Sequence, residues 1–200
     1  MKKYGWILVG ILALVMGAAP AQGAGLNDYF VGKLGSYSPE SDDLNGYDTG
    51  ITAEIGWGHY FSPFMALEFG VGYFQTEGNV IVIDSGSYYG NEEIEVTPLT
   101  MSLKLIQPLD GWMEIYGIGG IGVYLVNDSI DAFSPALGSI HISDDTAAFG
   151  AHLGAGIQFN ISSNVFVGGE FKYVWTTADL YGEDVSLDGF RVTGNLGFRF

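Results

Sequence analysis

The chain has 200 residues, 31 of them glycine and none cysteine, with 23 acidic residues against 7 basic ones and a formal net charge of -16. That acidity excludes nucleic acid as a partner, because phosphate binding needs clustered Lys and Arg. The lack of Cys removes disulfides, zinc–thiolate sites and thiol nucleophiles together. Apolar residues make up 48% and charged ones only 15%, yet beyond residue 25 no apolar run approaches the ~20 residues a spanning helix needs.

The first element reads as a targeting segment. Lys2 and Lys3 precede an apolar stretch from Trp6 to Met16, and small residues follow at Gly17, Ala18, Ala19 and Ala21. This is the pattern of a secretory signal peptide over 1–21, cut ahead of Gln22 or, in the alternative, ahead of Ala24. An uncleaved anchor is the competing reading; with no Cys after the small residues, a lipoprotein anchor is excluded. Residues 22–200 then form one domain.

Eight stretches of period two follow, the alternation of strands with one apolar face. Phe30, Gly32 and Leu34 oppose Lys33. Ile51, Ala53, Ile55 and Trp57 oppose Thr52, Glu54, Gly56 and Gly58. Met65, Leu67, Phe69, Val71 and Tyr73 oppose Glu68, Gly70 and Gly72. Leu99, Met101, Leu103 and Leu105 oppose Thr100, Ser102 and Lys104. Met113 to Val126 is apolar or Gly on both faces; Ile121, Val123 and Leu125 are expected outward and Tyr116 inward. Phe149, Ala151, Leu153 and Ala155 oppose Gly150, His152, Gly154 and Gly156. Val165, Val167, Phe171 and Trp175 oppose Phe166, Gly168, Glu170 and Lys172. Phe190, Val192, Leu196, Phe198 and Phe200 oppose Arg191, Thr193, Asn195 and Arg199.

Each basic residue after the leader falls on the face opposite the large apolar side chains. A soluble sandwich would turn that charged face to water. A membrane barrel inverts it, with apolar side chains to lipid and polar ones to the lumen. Aromatic residues near the strand ends and Gly on the other face favour the inversion. The connections alternate in length: long at Ser38–Asp48, Glu77–Glu93, Asn127–Asp145 and Thr177–Asp188, and short at Phe61–Phe64, Gln107–Trp112 and Asn160–Asn164. Short periplasmic turns and longer extracellular loops have this signature. The expected fold is all-β: an eight-stranded antiparallel up-and-down transmembrane β-barrel after a signal peptide, in the outer membrane, with both termini periplasmic.

The leader, "YFVGKLGSYSP" at Tyr29–Pro39, "LEFGVGY" at Leu67–Tyr73, "TPLTMSLK" at Thr97–Lys104, "YGIGGIGVY" at Tyr116–Tyr124 and the terminal "NLGFRF" together resemble the small outer-membrane barrels of OmpA, OmpX and OmpW type. The resemblance covers essentially the whole mature chain. It implies Val192, Leu196, Phe198 and Phe200 as the signal read by the barrel assembly machinery. It implies outer-membrane lipid and lipopolysaccharide as surroundings, but not an activity.

Inside the barrel, Glu54, Glu68 and Glu170 are expected to face Lys33, Lys104, Lys172, Arg191 and Arg199. Charges in a low-dielectric lumen are costly unless paired, so a pairing network that plugs the lumen is expected. A gated solute path is the alternative. No enzyme and no cofactor are expected: His59, His141 and His152 lack a Ser and acid partner at suggestive spacing. The acid-rich loops are candidates for divalent cations, although no EF-hand loop is present. The expected function is a structural or surface-interaction barrel, acting as a monomer. The alternatives are an OmpW-like transporter of small hydrophobic solutes and an adhesin, for which Ser85, Ser87, Tyr88 and Tyr89 are the only hint.

Overall fold

Alternating side chains force an extended backbone to present two unlike faces, and a closed sheet assigns one face to the inside and the other to the outside. The computed structural model describes residues 27–44, 46–83, 87–134, 138–180 and 182–200, of which 79–83, 87–92, 130–134 and 138–144 are described by backbone. The expected leader at 1–21 and its cleavage site lie outside the described residues.

The described residues form nine strands: β1 (Asp28–Pro39), β2 (Gly50–Ser62), β3 (Met65–Ile83), β4 (Ser87–Asp110), β5 (Met113–Ser134), β6 (Gly138–Asn160), β7 (Val165–Leu180), β8 (Glu183–Ser186) and β9 (Gly189–Arg199). Each pairs antiparallel with its sequence neighbours, except that β9 pairs with β7 and β1 and so closes the barrel. Eight strands make the wall. The short β8 only folds back on the end of β7, through a turn that holds Gly182 in the left-handed region at φ 83°, a conformation glycine takes at little cost.

The turns at the end holding Asn27 and Phe200, here called the termini end, are short, as expected. At the opposite end the expectation needs correction. The presumed loops 77–93 and 127–145 are largely strand. The β3–β4 ladder runs on from Glu77↔Glu93 to Ile83↔Ser87, and β5–β6 from Asn127↔Asp145 to Ser134↔Gly138. β4 and β5 stay paired up to Tyr89↔Phe133. Strands β3 to β6 thus project past the barrel as a four-stranded blade. Outside a membrane neither strand face has to be apolar, so the apolar period fades where the backbone pairing does not. The first connection is irregular and holds a 3-10 turn at Asp42–Leu44, whereas the last, expected as a loop over 177–188, is largely the hairpin of β7 and β8.

Burial follows the alternation. Leu34, Ile121, Leu153 and Phe149 point outward and are 61–85% exposed, while Lys33, Glu68, Lys172 and Arg191 are at most 2% exposed. A soluble protein does not leave so large an apolar belt in water; lipid is the solvent that suits it.

Candidate functional site

The lumen is filled in three layers. At the termini end, Tyr29, Val31, Ala66, Ile106, Tyr116, Ile118 and Phe166 form an apolar cluster. Glycines make room for its rings. A Cβ on Gly58, Gly156 or Gly197 would lie 2.0–2.3 Å from Tyr29, Tyr116 or Phe166 respectively. The inner wall is glycine-rich because a narrow barrel cannot hold a side chain at each inward position.

The middle layer is ionic. Lys33 Nζ reaches Glu54 Oε1 at 2.9 Å, Glu68 Oε1 at 2.7 Å and Glu170 Oε1 at 2.9 Å. Lys104 Nζ binds Glu68 Oε2 at 2.6 Å. Lys172 Nζ bridges Glu54 and Glu170 at 3.1 Å each. Arg191 Nη1 reaches Glu54 at 3.1 Å and donates through Nε and Nη2 to Thr52 Oγ1 at 3.0 and 2.8 Å. Tyr29 and Tyr116 hydroxyls donate to Glu68 and Glu170 at 2.8 and 2.9 Å, and Lys104 Nζ lies over both rings at 5.3 and 4.7 Å. Three carboxylates therefore hold four cations, and the seven residues come from six strands.

The third layer, toward the blade, is apolar again: Tyr37, Leu44, Phe74, Ile94, Val96, Tyr124, Val126, Val174, Leu180 and Leu187 pack together. The first and last connections are latched across it. Tyr37 Oη donates to Leu187 O at 2.8 Å, Ser41 Oγ to Ser186 O at 2.6 Å, and Ser186 N to Asp43 Oδ2 at 2.9 Å.

Of the residues expected in one network, Lys33, Glu54, Glu68, Lys104, Glu170, Lys172 and Arg191 are brought together. Arg199 is not. It lies at the termini end, 3.4 Å from Glu114 and over the Phe166 ring, because it sits at the last strand position, beyond the apolar cluster. Glu114 escaped the sequence reading, although it shares the inward parity of Tyr116. The hydroxyls of Tyr29 and Thr52 gave no charge signal to find them by. No Ser and acid pair stands at suggestive spacing from His152 in the sequence; in the structure Ser102 Oγ lies 2.8 Å from its Nε2, both residues buried. The partner comes from another strand, 50 positions away, so no spacing could reveal it. Val192, Leu196 and Phe198 face outward, and Phe200 stacks on Phe30. Several loop acids serve the backbone instead: Asp188 accepts from Thr176 N and Asp179 from Gly182 N. Among the described residues no three His, Cys, Asp or Glu are grouped to hold a metal ion.

The sequence matches the outer membrane protein beta-barrel domain over residues 8–200. The chain belongs to this family. No curated protein matches it in sequence. Its fold is similar to Neisserial surface protein A, at 15% identity and TM-score 0.55 over 90% of this chain and 100% of the other. OprG from Pseudomonas aeruginosa matches at 18% and 0.55, over 90% and 99%. A major outer membrane protein from Thermus thermophilus matches at 11% and 0.55, over 87% and 98%. At these identities the likeness speaks for the barrel and leaves the role within the family open.

Proposed function

We propose that this outer-membrane barrel protein is a closed scaffold with a structural or surface-interaction role, not a pore. The observation that supports this reading is Lys33, held by three carboxylates at mid-lumen between two apolar layers. An ion crossing the lumen would have to break that network and then part the packed rings of the third layer. The surroundings are outer-membrane lipid and lipopolysaccharide, with the termini on the periplasmic side. The barrel assembly machinery would read the outward row Val192, Leu196, Phe198 and Phe200. No catalysis enters the reading, since the Ser102–His152 contact is buried within the wall. Planar-bilayer recordings of the purified protein are expected to give no stable single-channel currents; large, stable currents would overturn the closed scaffold.

One observation favours a second reading, an OmpW-like path for small hydrophobic solutes. The β3–β4 ladder skips Gly72 and Tyr73, opposite Thr97 and Pro98, where Pro98 has no N–H to give. A groove of about 730 Å³ lined by Leu34, Ala53, Ile55, Val71 and Tyr73 lies beside this gap. Liposome uptake of a hydrophobic solute that is lost when Pro98 is replaced by Val would support the path.

A further inference from the structure

The ionic layer of the lumen does not balance. Lys33, Lys104, Lys172 and Arg191 meet Glu54, Glu68 and Glu170, each of the seven at most 3% exposed, which leaves one positive charge over. Each cation already has a carboxylate within 3.1 Å. What the layer lacks is a fourth anion, not a closer contact. The other inward carboxylates stand elsewhere. Glu114 pairs with Arg199 at the termini end. Asp128, also buried, is four positions beyond Tyr124 on β5, about 13 Å along the strand at ~3.3 Å per residue. An excess charge enclosed between two apolar layers is costly to keep from water.

A second, independent observation lies on the blade side of that layer. Tyr124 is fully buried, and its hydroxyl has no hydrogen-bond partner among the described residues, a costly state for a buried donor. The ring is seated against the β6 wall, where a Cβ on Gly150 would lie 2.7 Å from it. Tyr124 packs in one cluster with Tyr37 and Phe74, and Arg191 lies over the Phe74 ring at 5.7 Å. Arg191 and Glu54 are the charged groups whose fields reach the hydroxyl. A guanidinium carries five N–H donors. Arg191 gives Nε and Nη2 to Thr52 and Nη1 to Glu54, so one N–H on each Nη has no acceptor among the described residues. The unused donors and the excess charge therefore fall on the same side of the layer.

We propose that the lumen holds one chloride ion between the Arg191 guanidinium and the Tyr124 hydroxyl. A monovalent halide balances the layer, needs only donors and accepts them from any direction. A phosphate would bring more charge than the layer lacks. The ion is held between two apolar layers and does not permeate, so the inference rests on the closed lumen proposed above, which conductance tests separately.

The experiment uses the full barrel refolded in vesicles. Urea unfolding is followed by tryptophan fluorescence at rising chloride, with methanesulfonate holding the ionic strength constant. An ion bound by the folded state alone raises the folding constant in proportion to its concentration once the site is saturated. Tenfold more chloride is then expected to favour the folded barrel tenfold. Tyr124→Phe is expected to abolish this dependence. Lys104→Met, which brings the layer to three against three without touching Arg191 or Tyr124, is expected to weaken it. Crystals grown in bromide are expected to show an anomalous peak beside Arg191 Nη and Tyr124 Oη. Three results would overturn the site: an unfolding midpoint of the unaltered barrel that ignores chloride, a dependence that survives Tyr124→Phe intact, or bromide at Arg199 or the outer loops alone. The first would mean that a lysine of the layer is neutral. The second, with Tyr124→Phe as stable as the original or more so, would mean that the hydroxyl is merely unmatched. Should either variant fail to fold, the chloride titration of the unaltered barrel and the bromide peak decide.

Discussion

Glu68→Gln tests the lumen network most sharply, because Glu68 is the carboxylate that Lys104 binds. The variant leaves the Lys104 ammonium, buried at 3% exposure, with the faces of Tyr29 and Tyr116 and no carboxylate partner among the described residues. It also changes a layer of four cations and three anions into one of four and two. Breaking a buried pair in this way costs about 3–5 kcal/mol, since the surviving charge stays desolvated. At a urea slope of about 2 kcal/mol/M this lowers the unfolding midpoint by about 2 M. Lys104→Met is the contrasting change: Glu68 keeps Lys33 at 2.7 Å and the Tyr29 hydroxyl at 2.8 Å, and the layer becomes three against three. It should cost less than half as much. The double variant should recover part of the Glu68→Gln loss, because the orphaned ammonium is gone, with a coupling of at least about 1 kcal/mol. Unfolding in detergent or vesicles, followed by tryptophan fluorescence and by the gel shift between folded and heated barrel, gives all four corners. A double variant no more stable than Glu68→Gln would refute the reasoning: the loss would then not report an uncompensated lysine.

Gly156→Ala should destabilise by about 1–3 kcal/mol through overpacking, because its Cβ would lie 2.3 Å from the Tyr116 ring. Gly117→Ala, where the added methyl meets nothing nearer than 4.0 Å, should be nearly neutral in the same midpoint measurement. Phe74→Ala removes a ring 1% exposed that packs on Tyr37 at 4.4 Å and faces Arg191 at 5.7 Å; a loss of about 3–5 kcal/mol is expected in urea unfolding. Leu153→Arg puts a charge on the lipid face beside inward His152 and should cost about 2–4 kcal/mol in vesicles. A neutral result there would mean that this face meets water.

The sequence made the wall legible because the two solvents of a barrel impose opposite demands on neighbouring residues. Lys33 between Gly32 and Leu34, or Lys172 between Phe171 and Tyr173, can be satisfied only if the chain is extended and the faces differ. Parity therefore put seven of the expected charges in one layer. Height along the axis is another matter. Arg199 has the inward parity of Arg191, yet eight positions along a strand carry it past the Tyr29–Phe166 cluster to Glu114. Neither parity nor composition reports that displacement. Cross-strand partners are hidden for the same reason: Ser102 and His152 meet only because β4, β5 and β6 curl round a narrow lumen.

The blade marks the limit of the period-two argument in physical terms. Within the membrane a strand is recognised by the contrast between lipid and lumen; beyond Phe74, Val96, Val126 and Ala148 that contrast ends. Acids at 77, 92, 93, 95, 128 and 131 then look like loop residues. Glu77 and Glu93 even oppose each other directly across the ladder, a like-charge pairing that costs stability. The ladder persists because β3 to β6 enter it already in register from the barrel, so the closed wall fixes a register that the blade sequence alone would specify weakly. It follows that the blade should be the first part to lose its amide protection. Hydrogen exchange is expected to reach the 79–92 and 130–144 amides well before those flanking Lys33, Glu68 or Lys172. Equal protection throughout would mean that the blade is held by more than its register, and would shift attention to what covers its face.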